Sequence, residues 1–310
     1  MYRTSEKREE TTQLSIVYPS CCCCILILDR LYKLWSLYYY ACMFECKLIC
    51  TDIDGTLLDS RHQITERTKE TLRRARRKGI IVALVSGRIA SSLAILQQEI
   101  GIQGPLGCFN GSLALDEDGN ELEAHPIRLE QALEVLEAVR HTELEAFVFT
   151  NESWYTKARS PWYDIEVEAS RTEGRIVPFS ELSYAFHPGE RPFKVLCMHH
   201  DPAYVARVQP GLQQAFGSSL NILNSSPKYI EILARGVDKG HAVRSLCNAY
   251  SIDASTVMAV GDFYNDIGMF RASGYSVAMG NAPQAVKDHA IAVTRSNNED
   301  GLALAIEAVL

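Results

Sequence analysis

Two aspartates that stand two residues apart, Asp52 and Asp54, are the clearest indication of chemistry in this sequence. They follow the apolar run Leu48-Ile49-Cys50 and precede Gly55. If the run is a buried strand, side chains at positions i and i+2 point the same way, so both carboxylates face one crevice. Two carboxylates in one crevice are costly unless a cation lies beside them or one carries a proton. The spacing therefore predicts an acid–base or metal site, and the alternative is an Asx turn that merely ends a strand.

Four further polar residues follow or begin predicted elements: Ser86, Lys239, Asp262 and Asp266. Ligands of open parallel sheets bind at the carboxyl ends of the strands, so we expect these residues to lie beside Asp52. An oxygen-only ligand set indicates Mg²⁺ rather than zinc. A hydroxyl, backbone N–H groups and a lysine suit the oxygens of a phosphoryl group. Taken singly, Ser86 could be a helix cap, Lys239 a surface lysine and Asp262 a turn residue.

The elements that must position these residues alternate between strand and helix. Strands are predicted over 47–52, 80–85, 105–109, 256–260, 275–278 and 291–294. Helices are predicted over 65–78, 283–289 and 301–310, and from about 89, 239 and 265. Alternation with these lengths requires parallel strands and right-handed crossovers.

The pattern changes after the hairpin signal Asp118-Gly119. Helices are predicted over 129–141, 162–171 and 202–216, among strands over 145–150, 153–157, 175–179, 193–199, 219–224 and 228–233. Strands paired through turns predict an antiparallel sheet with helices on one face. We therefore predict an α/β core, residues 43–126 and 234–310, with an α+β domain inserted at 127–233.

Residues 1–42 do not resemble the rest of the chain. Their first apolar run, residues 14–28, is shorter than the roughly 20 residues of a spanning helix and lacks a signal-peptide cleavage site. Three interpretations stay open: an extension upstream of a start at Met43, a cysteine-acylated anchor, or a weak signal-anchor. We expect this segment to take no part in the chemistry.

Composition limits the classes of partner. The 310-residue chain has a formal charge of −7, which does not suggest the basic footprint of a nucleic-acid or membrane-surface protein. No membrane partner is expected unless residues 1–42 act as an anchor. Four cysteines in the body are widely spaced, without zinc or disulfide patterns: Cys50, Cys108, Cys197 and Cys247. A reduced, cytoplasmic protein is predicted.

At the polar residues above, the sequence resembles the haloacid dehalogenase superfamily, in particular its Cof-type, subfamily IIB phosphatases with a C2B cap. The resemblance covers about residues 44–310, and its four motifs occur in order: Asp52-Ile53-Asp54-Gly55-Thr56, Ser86-Gly87-Arg88, Lys239-Gly240, and Gly261-Asp262-Phe263-Tyr264-Asn265-Asp266. Three other stretches look like subfamily features: Asn110-Gly111, Met279-Gly280-Asn281-Ala282 and Glu299-Asp300-Gly301.

The resemblance implies a Rossmann-like core with a cap and a Mg²⁺-dependent hydrolysis of phosphate monoesters. It implies that Asp52 attacks phosphorus to give an aspartyl-phosphate. Asp54 would act first as acid and then as base, and we expect Asp52 and partial burial to keep it protonated at the first step.

The resemblance also assigns the remaining site residues. It implies that Mg²⁺ is held by the Asp52 carboxylate, the Asp54 backbone carbonyl, Asp262 and, directly or through water, Asp266. The phosphoryl group would be bound by Ser86, Gly87, Lys239 and Asn265. Lys194 and the loop over 180–192 are candidates for choosing the leaving group.

Two other functions remain open beside hydrolysis of a small phosphorylated metabolite such as a sugar phosphate or pyridoxal phosphate. A hexose phosphomutase on this fold would need an activating bisphosphate. A regulator that binds a phosphorylated ligand without turnover would be expected to lack the nucleophile or the acid. A monomer or a homodimer is predicted.

Overall fold

The computed structural model describes residues 44–310, so the interpretations of residues 1–42 lie outside the described part of the chain. The core is built on an eight-stranded sheet in the order β14-β13-β12-β1-β2-β3-β4-β5. Neighbours from β14 through β3 are parallel, and β4 and β5 continue the sheet antiparallel. The core strands are β1 (Leu48–Thr51), β2 (Ile81–Val85), β3 (Leu106–Cys108), β4 (Leu113–Leu115), β5 (Glu121–Ala124), β12 (Val257–Gly261), β13 (Tyr275–Ala278) and β14 (Ala292–Val293).

Helices cover both faces of this sheet, which explains why the consecutive residues Leu48, Ile49 and Cys50 of β1 are all apolar. Ile49 packs in one cluster with Leu72 and Leu93, whereas Leu48 and Cys50 pack in another on the opposite face. A strand buried on both faces is continuously hydrophobic rather than alternating. The core helices are α1 (Glu66–Arg77), α2 (Ala90–Ile100), α7 (Lys239–Tyr250), α8 (Ile267–Arg271), α9 (Gln284–Lys287) and α10 (Gly301–Glu307).

The ends of α1 follow the signals in its sequence. The Thr65 hydroxyl accepts a hydrogen bond from the Thr68 N–H at 3.2 Å, as an N-cap does. Gly79 has a φ of +83°, the left-handed conformation that ends helices. The predicted bounds of this helix are therefore confirmed to within a residue at each end.

The inserted part of the chain forms a six-stranded sheet in the order β10-β11-β9-β6-β7-β8. Its strands are β6 (Glu145–Thr150), β7 (Trp154–Thr156), β8 (Arg175–Ile176), β9 (Pro192–Met198), β10 (Leu220–Ser226) and β11 (Tyr229–Ala234). Its helices are α3 (Leu129–Val139), α4 (Pro161–Ser170), α5 (Leu182–Ala185) and α6 (Pro202–Phe216). We call this part the cap; the boundary expected at 233/234 falls inside β11.

Strand β8 departs from the predicted antiparallel pairing, because it runs parallel to β7. The connection between them contains α4, and a helical crossover returns the chain in the same direction. The predicted strand over 175–179 is also too long, since it ends at Ile176. Pro178 follows, and proline has no N–H to donate to a sheet.

Core and cap share a continuous hydrophobic cluster. Phe109 after β3 and Phe193 on β9 are both fully buried and stack with ring centroids 5.4 Å apart and planes 13° from parallel. The same cluster includes Trp154 and Phe149 of the cap together with Ile49 of β1. The cap is therefore packed onto the core rather than held at a distance from it.

Two sequence expectations concern compartment and membranes. Within residues 44–310, no helix combines the length and apolarity that crossing a bilayer would require. All five described cysteines are free thiols, as the absence of a disulfide pattern predicted, and four of them are buried: Cys50, Cys108, Cys197 and Cys247.

Phe193→Ala should lower the free energy of unfolding by ~3–5 kcal/mol, because it removes a buried ring from the joint between cap and core. Urea unfolding followed by tryptophan fluorescence measures this loss. Tyr184→Ala is the control, since its side chain is 89% exposed and its removal should cost within about 0.5 kcal/mol. Equal losses in the two variants would show that the stacked pair does not stabilise the joint.

Candidate active site

Asp52 and Asp54 leave the carboxyl end of β1 as the spacing predicted, but their surroundings differ. Asp52 is 5% exposed, and its N–H donates to the Val260 carbonyl at 2.9 Å, so the strand pairing continues to the aspartate itself. The Asp54 side chain is about half exposed, at 50%. Gly55 has a φ of +84°, and a Cβ there would lie 2.4 Å from an Asp262 carboxylate oxygen, so only glycine fits between the two acidic segments.

Lys239 joins two of the acidic segments. It is the first residue of α7, which Asp238 caps through the His241 N–H. Its ammonium is buried and donates to Asp52 Oδ1 and Asp266 Oδ1, both at 2.5 Å. Burial lowers the pKa of Lys239, but the two carboxylates together raise it above the ordinary lysine value. The lysine is therefore held charged between them.

Asp262 and Asp266 follow β12 and differ in how they are held. Asp266 is fully buried, and its Oδ2 accepts the N–H groups of Asp262 at 2.8 Å and Phe263 at 2.9 Å. With Oδ1 bound by Lys239, both Asp266 oxygens already have partners. Asp262 is only partly buried and accepts from Thr56 and from Asn281, each at 3.2 Å.

The acidic groups fit a divalent cation. One carboxylate oxygen each from Asp52, Asp262 and Asp266 lies within 4.8 Å of the others. Burial, and then the neighbouring Asp266, raises the pKa of Asp262 to about 7; burial likewise raises that of Asp52 despite the opposing charge of Lys239. The negative charge gathered here thus exceeds what one ammonium neutralises. A small cation that prefers oxygen ligands, such as Mg²⁺, would correct that excess.

The segment after β2 supplies the opposite wall. Ser86 is 2% exposed, and its N–H donates to the Gly107 carbonyl at 2.8 Å. Ser86 and Gly87 both line a cavity between the core and the cap. Asn265 also lines the cavity, and its amide donates to Asn110 Oδ1 at 3.0 Å. The structure therefore brings all the predicted site residues to one end of the parallel sheet.

Arg88 was part of a recognised motif, but its contact was not predicted. Its guanidinium binds both oxygens of Asp54, at 2.6 and 2.9 Å, and donates to the Ala169 carbonyl of α4 at 2.5 Å. Partial loss of contact with water raises the pKa of Asp54, but the hydrogen bonds and charge of Arg88, with smaller effects of His62 and Lys239, leave it lowered. The expectation that Asp52 and burial keep Asp54 protonated is therefore wrong for this arrangement, because a bidentate arginine stabilises the carboxylate.

A cavity of about 350 Å³ lies between these residues and the cap. The cap side of its lining comprises Glu166, Ala169, Ser170, Lys194, Leu196, Ser225, Ser226, Tyr229 and Glu231. Lys194 was a predicted candidate for this wall, and its ammonium donates to the Gly87 carbonyl at 2.7 Å. No residue of the loop over 180–192 lines the cavity; His187 and Glu190 of that loop instead bond within the cap, to Glu152 and Tyr155.

Glu231 is a site residue that the sequence reasoning missed. It is 5% exposed and accepts from Asn110 Nδ2 at 2.6 Å and from Ser225 Oγ at 2.6 Å. A charged residue inside the apolar stretch Tyr229–Leu233 was the signal that could have found it, because a buried carboxylate needs partners. Through Asn110 it connects the cap to Asn265.

Comparisons with known proteins agree with this geometry. Residues 49–306 match the haloacid dehalogenase-like hydrolase family. Two Bacillus subtilis relatives are each 27% identical: phosphatase YwpJ, over 83% of this chain and 97% of its own, and the 5-amino-6-(5-phospho-D-ribitylamino)uracil phosphatase YwtE, over 85% and 98%. A haloacid dehalogenase-like hydrolase structure from Bacteroides thetaiotaomicron is 28% identical, covers 86% of this chain and all of its own, and has a TM-score of 0.78. The chain therefore belongs to the haloacid dehalogenase-like hydrolase family.

Proposed function

We propose that this chain is a Mg²⁺-dependent phosphatase that hydrolyses small phosphate monoesters through an aspartyl-phosphate on Asp52. The observation that carries the proposal is the buried Asp52 carboxylate, fixed by Lys239 beside Asp262 and Asp266 at the floor of a cavity. The phosphatase names of the relatives support the same reaction class. The physical demand is large, because phosphate monoester hydrolysis is among the slowest uncatalysed reactions.

In the first step, an Asp52 oxygen forms a bond to phosphorus as the ester oxygen leaves, and the leaving oxygen takes a proton from Asp54. In the second step, water attacks the phosphorus of the aspartyl-phosphate, Asp54 takes a proton from that water, and phosphate departs as Asp52 is regenerated. The covalent intermediate divides one difficult displacement into two easier ones. Because Lys239 binds one Asp52 oxygen, it fixes the direction in which the other points.

Mg²⁺ would be held by Asp52, Asp262 and the Asp54 backbone carbonyl, and it would supply positive charge to the phosphoryl oxygens. Asp266 would meet the ion through water, because both of its oxygens already accept hydrogen bonds, and it also positions Lys239 and the turn that carries Asp262. Ser86, the Gly87 N–H, Lys239 and Asn265 are the proposed donors to the transferring group.

Asp54 can donate its proton only when Arg88 does not hold it as a carboxylate. The guanidinium fork that binds Asp54 also matches the oxygens of a phosphoryl group. We propose that an arriving phosphate ester draws Arg88 away and leaves Asp54 free to take up and deliver a proton. Asp54 then becomes a proton donor only when an ester is bound.

The compartment and oligomeric state extend the same proposal. Buried free cysteines support a reducing compartment, and we propose the cytoplasm. We propose a monomer or a homodimer.

Asp52→Asn should lower phosphate release by at least about 10³-fold, because an amide cannot form the aspartyl-phosphate. Release is measured for the full chain with Mg²⁺ on a panel of sugar phosphates, pyridoxal phosphate and the ribitylaminouracil phosphate for which one relative is named. A chelator should abolish release as well, and Mg²⁺ should restore it.

Asp118→Asn is the matched control, since Asp118 is exposed in a hairpin of the core and should leave release unchanged. No release by the folded wild-type chain from any ester would contradict the phosphatase proposal. In that case, isomerisation of a hexose phosphate only when a hexose bisphosphate is added would identify a mutase, and binding without turnover would identify a regulator.

Asp54→Asn should reduce kcat/KM for glycerol 3-phosphate by about 10²–10⁴-fold. The factor by which it reduces kcat/KM for p-nitrophenyl phosphate should be at least about ten times smaller. An alkoxide needs a proton to leave, whereas p-nitrophenolate is stable without one. Each kcat/KM covers the reaction only as far as the phosphorylated enzyme and the released alcohol. The ratio of the two kcat/KM values therefore reports the first step alone.

Asp164→Asn provides the control for this measurement, because Asp164 also pairs with an arginine, Arg159 at 2.7 Å, but on the cap surface. It should leave the ratio unchanged. An Asp54→Asn variant that loses activity on both esters by the same factor would argue against Asp54 as the acid.

A further inference from the structure

Glu166 is a charged side chain in the cavity to which neither the motifs nor the mechanism assigns a role. It lies on α4 of the cap, and its side chain lines the cavity with Arg88 and Lys194. Among residues 44–310, no hydrogen bond or ion pair to its carboxylate is formed, although its backbone carbonyl accepts from Ser170. The carboxylate therefore has its acceptor capacity open toward the cavity.

A Glu166 carboxylate without a hydrogen-bond donor is energetically unfavourable where it is partly shielded from water. Burial raises the pKa of Glu166 to about 7, against the lowering effect of Lys194 and Arg88. Glu166 is half-buried, and a carboxylate partly withdrawn from water and given no protein donor lacks part of the solvation it had before folding. A ligand that brings a hydrogen-bond donor to this position would restore it.

The cations around Glu166 are already engaged. Arg88 binds Asp54 and the Ala169 carbonyl. Lys194 donates to the Gly87 carbonyl, and its ammonium nitrogen lies 3.9 Å from a carboxylate oxygen of Glu231. On the cap side of the lining, two carboxylates therefore face one ammonium, and the other polar groups are hydroxyls. This wall offers acceptors and neutral groups, and its net charge is negative.

The position of the wall relative to the chemistry fixes which part of a substrate meets it. The phosphoryl group belongs at Asp52 and Ser86 on the core side, so the leaving group must extend toward the cap. Glu166 lines the same cavity as Asp54 and Arg88, and Arg88 binds both Asp54 and the Ala169 carbonyl on the helix that carries Glu166. A leaving group of a few carbon atoms therefore reaches it.

We propose that Glu166 selects the leaving group: it accepts a hydrogen bond from a hydroxyl or ammonium group there and disfavours a leaving group that carries a second anion. This inference rests on the proposed phosphatase function and narrows its substrate class to esters of polyols and amino alcohols. Repulsion between Glu166 and a second anion weakens binding of an anionic leaving group. The hydrogen bond to Glu166 strengthens binding of a leaving group that carries a donor.

A matched pair of esters tests the inference. Glycerol 3-phosphate and 3-phosphoglycerate share a three-carbon chain and differ in whether the far end is a hydroxymethyl group or a carboxylate. Calorimetric titration of the full chain carrying Asp52→Asn, with Mg²⁺ at pH 8, measures both dissociation constants without turnover. We expect at least about tenfold tighter binding of glycerol 3-phosphate.

Adding Glu166→Gln should reduce this preference at least about fivefold, because the amide keeps the size of the side chain and removes its charge. Glu168→Gln is the matched control: Glu168 is exposed on the same helix, and its loss should leave the preference unchanged. Competition by the two esters against p-nitrophenyl phosphate hydrolysis by the chain with Asp52 intact should give the same order.

Equal affinities for the two esters, a preference for 3-phosphoglycerate, no binding of either, or a preference unaffected by Glu166→Gln would each overturn the inference. Failure of the proposed function gives a different result. In that case the chain with Asp52 intact would release no phosphate from any ester, while the calorimetric preference and its dependence on Glu166 would persist.

Discussion

The ammonium group of Lys239 lies 2.5 Å from oxygens of both Asp52 and Asp266, and all three side chains are buried. Removing one partner from a buried ion pair typically costs about 3–5 kcal/mol, because the remaining charge has no solvent to stabilise it. The three residues come from the end of β1, the start of α7 and the turn after β12. The candidate site thus depends on a contact that exists only when both halves of the core have come together.

The same contact explains the order of the neighbouring groups. With one oxygen of Asp52 and both of Asp266 bound by the protein, the acidic cluster has few orientations left before any ligand arrives. Across the cavity, Lys194 and Glu231 of the cap bond to Gly87 and Asn110 of the core. The residues proposed to bind phosphate are therefore held from two sides, and their positions depend on the cap being in place.

Much of this arrangement could be predicted from sequence, because each predicted site residue stands at the end of a strand or the start of a helix. Once the strands are parallel, their carboxyl ends must meet, and Asp52, Ser86 and Asp262 meet with them. Contacts that depend on side-chain direction could not be predicted in this way. The pairing of Arg88 with Asp54 reverses the protonation expected for that aspartate, and no spacing in the sequence indicates it.

The cap was less predictable than the core for a related reason. On α4, Glu166 and Glu168 look alike in sequence, and only the angle at which the helix packs makes one line the cavity and leaves the other exposed. Strand β8 is similar, since its direction depends on how the helix before it crosses the sheet. Features set by packing between elements carry little local signal.

The chain enters and leaves the cap at neighbouring points: the ring of His125, just after β5, lies 5.8 Å from that of His241 on α7. An inserted domain whose two ends lie close together disturbs the surrounding fold little, because the two chain segments that flank it keep the same positions whatever is inserted. The chain therefore passes between core and cap at one place, while Phe109 and Phe193 pack the two together elsewhere. Away from the residues that pack against the core, the sequence of the cap can diverge while Asp52, Lys239 and Asp266 keep their contacts. Selection for a new leaving group can therefore change cap residues that line the cavity without changing the residues of the core.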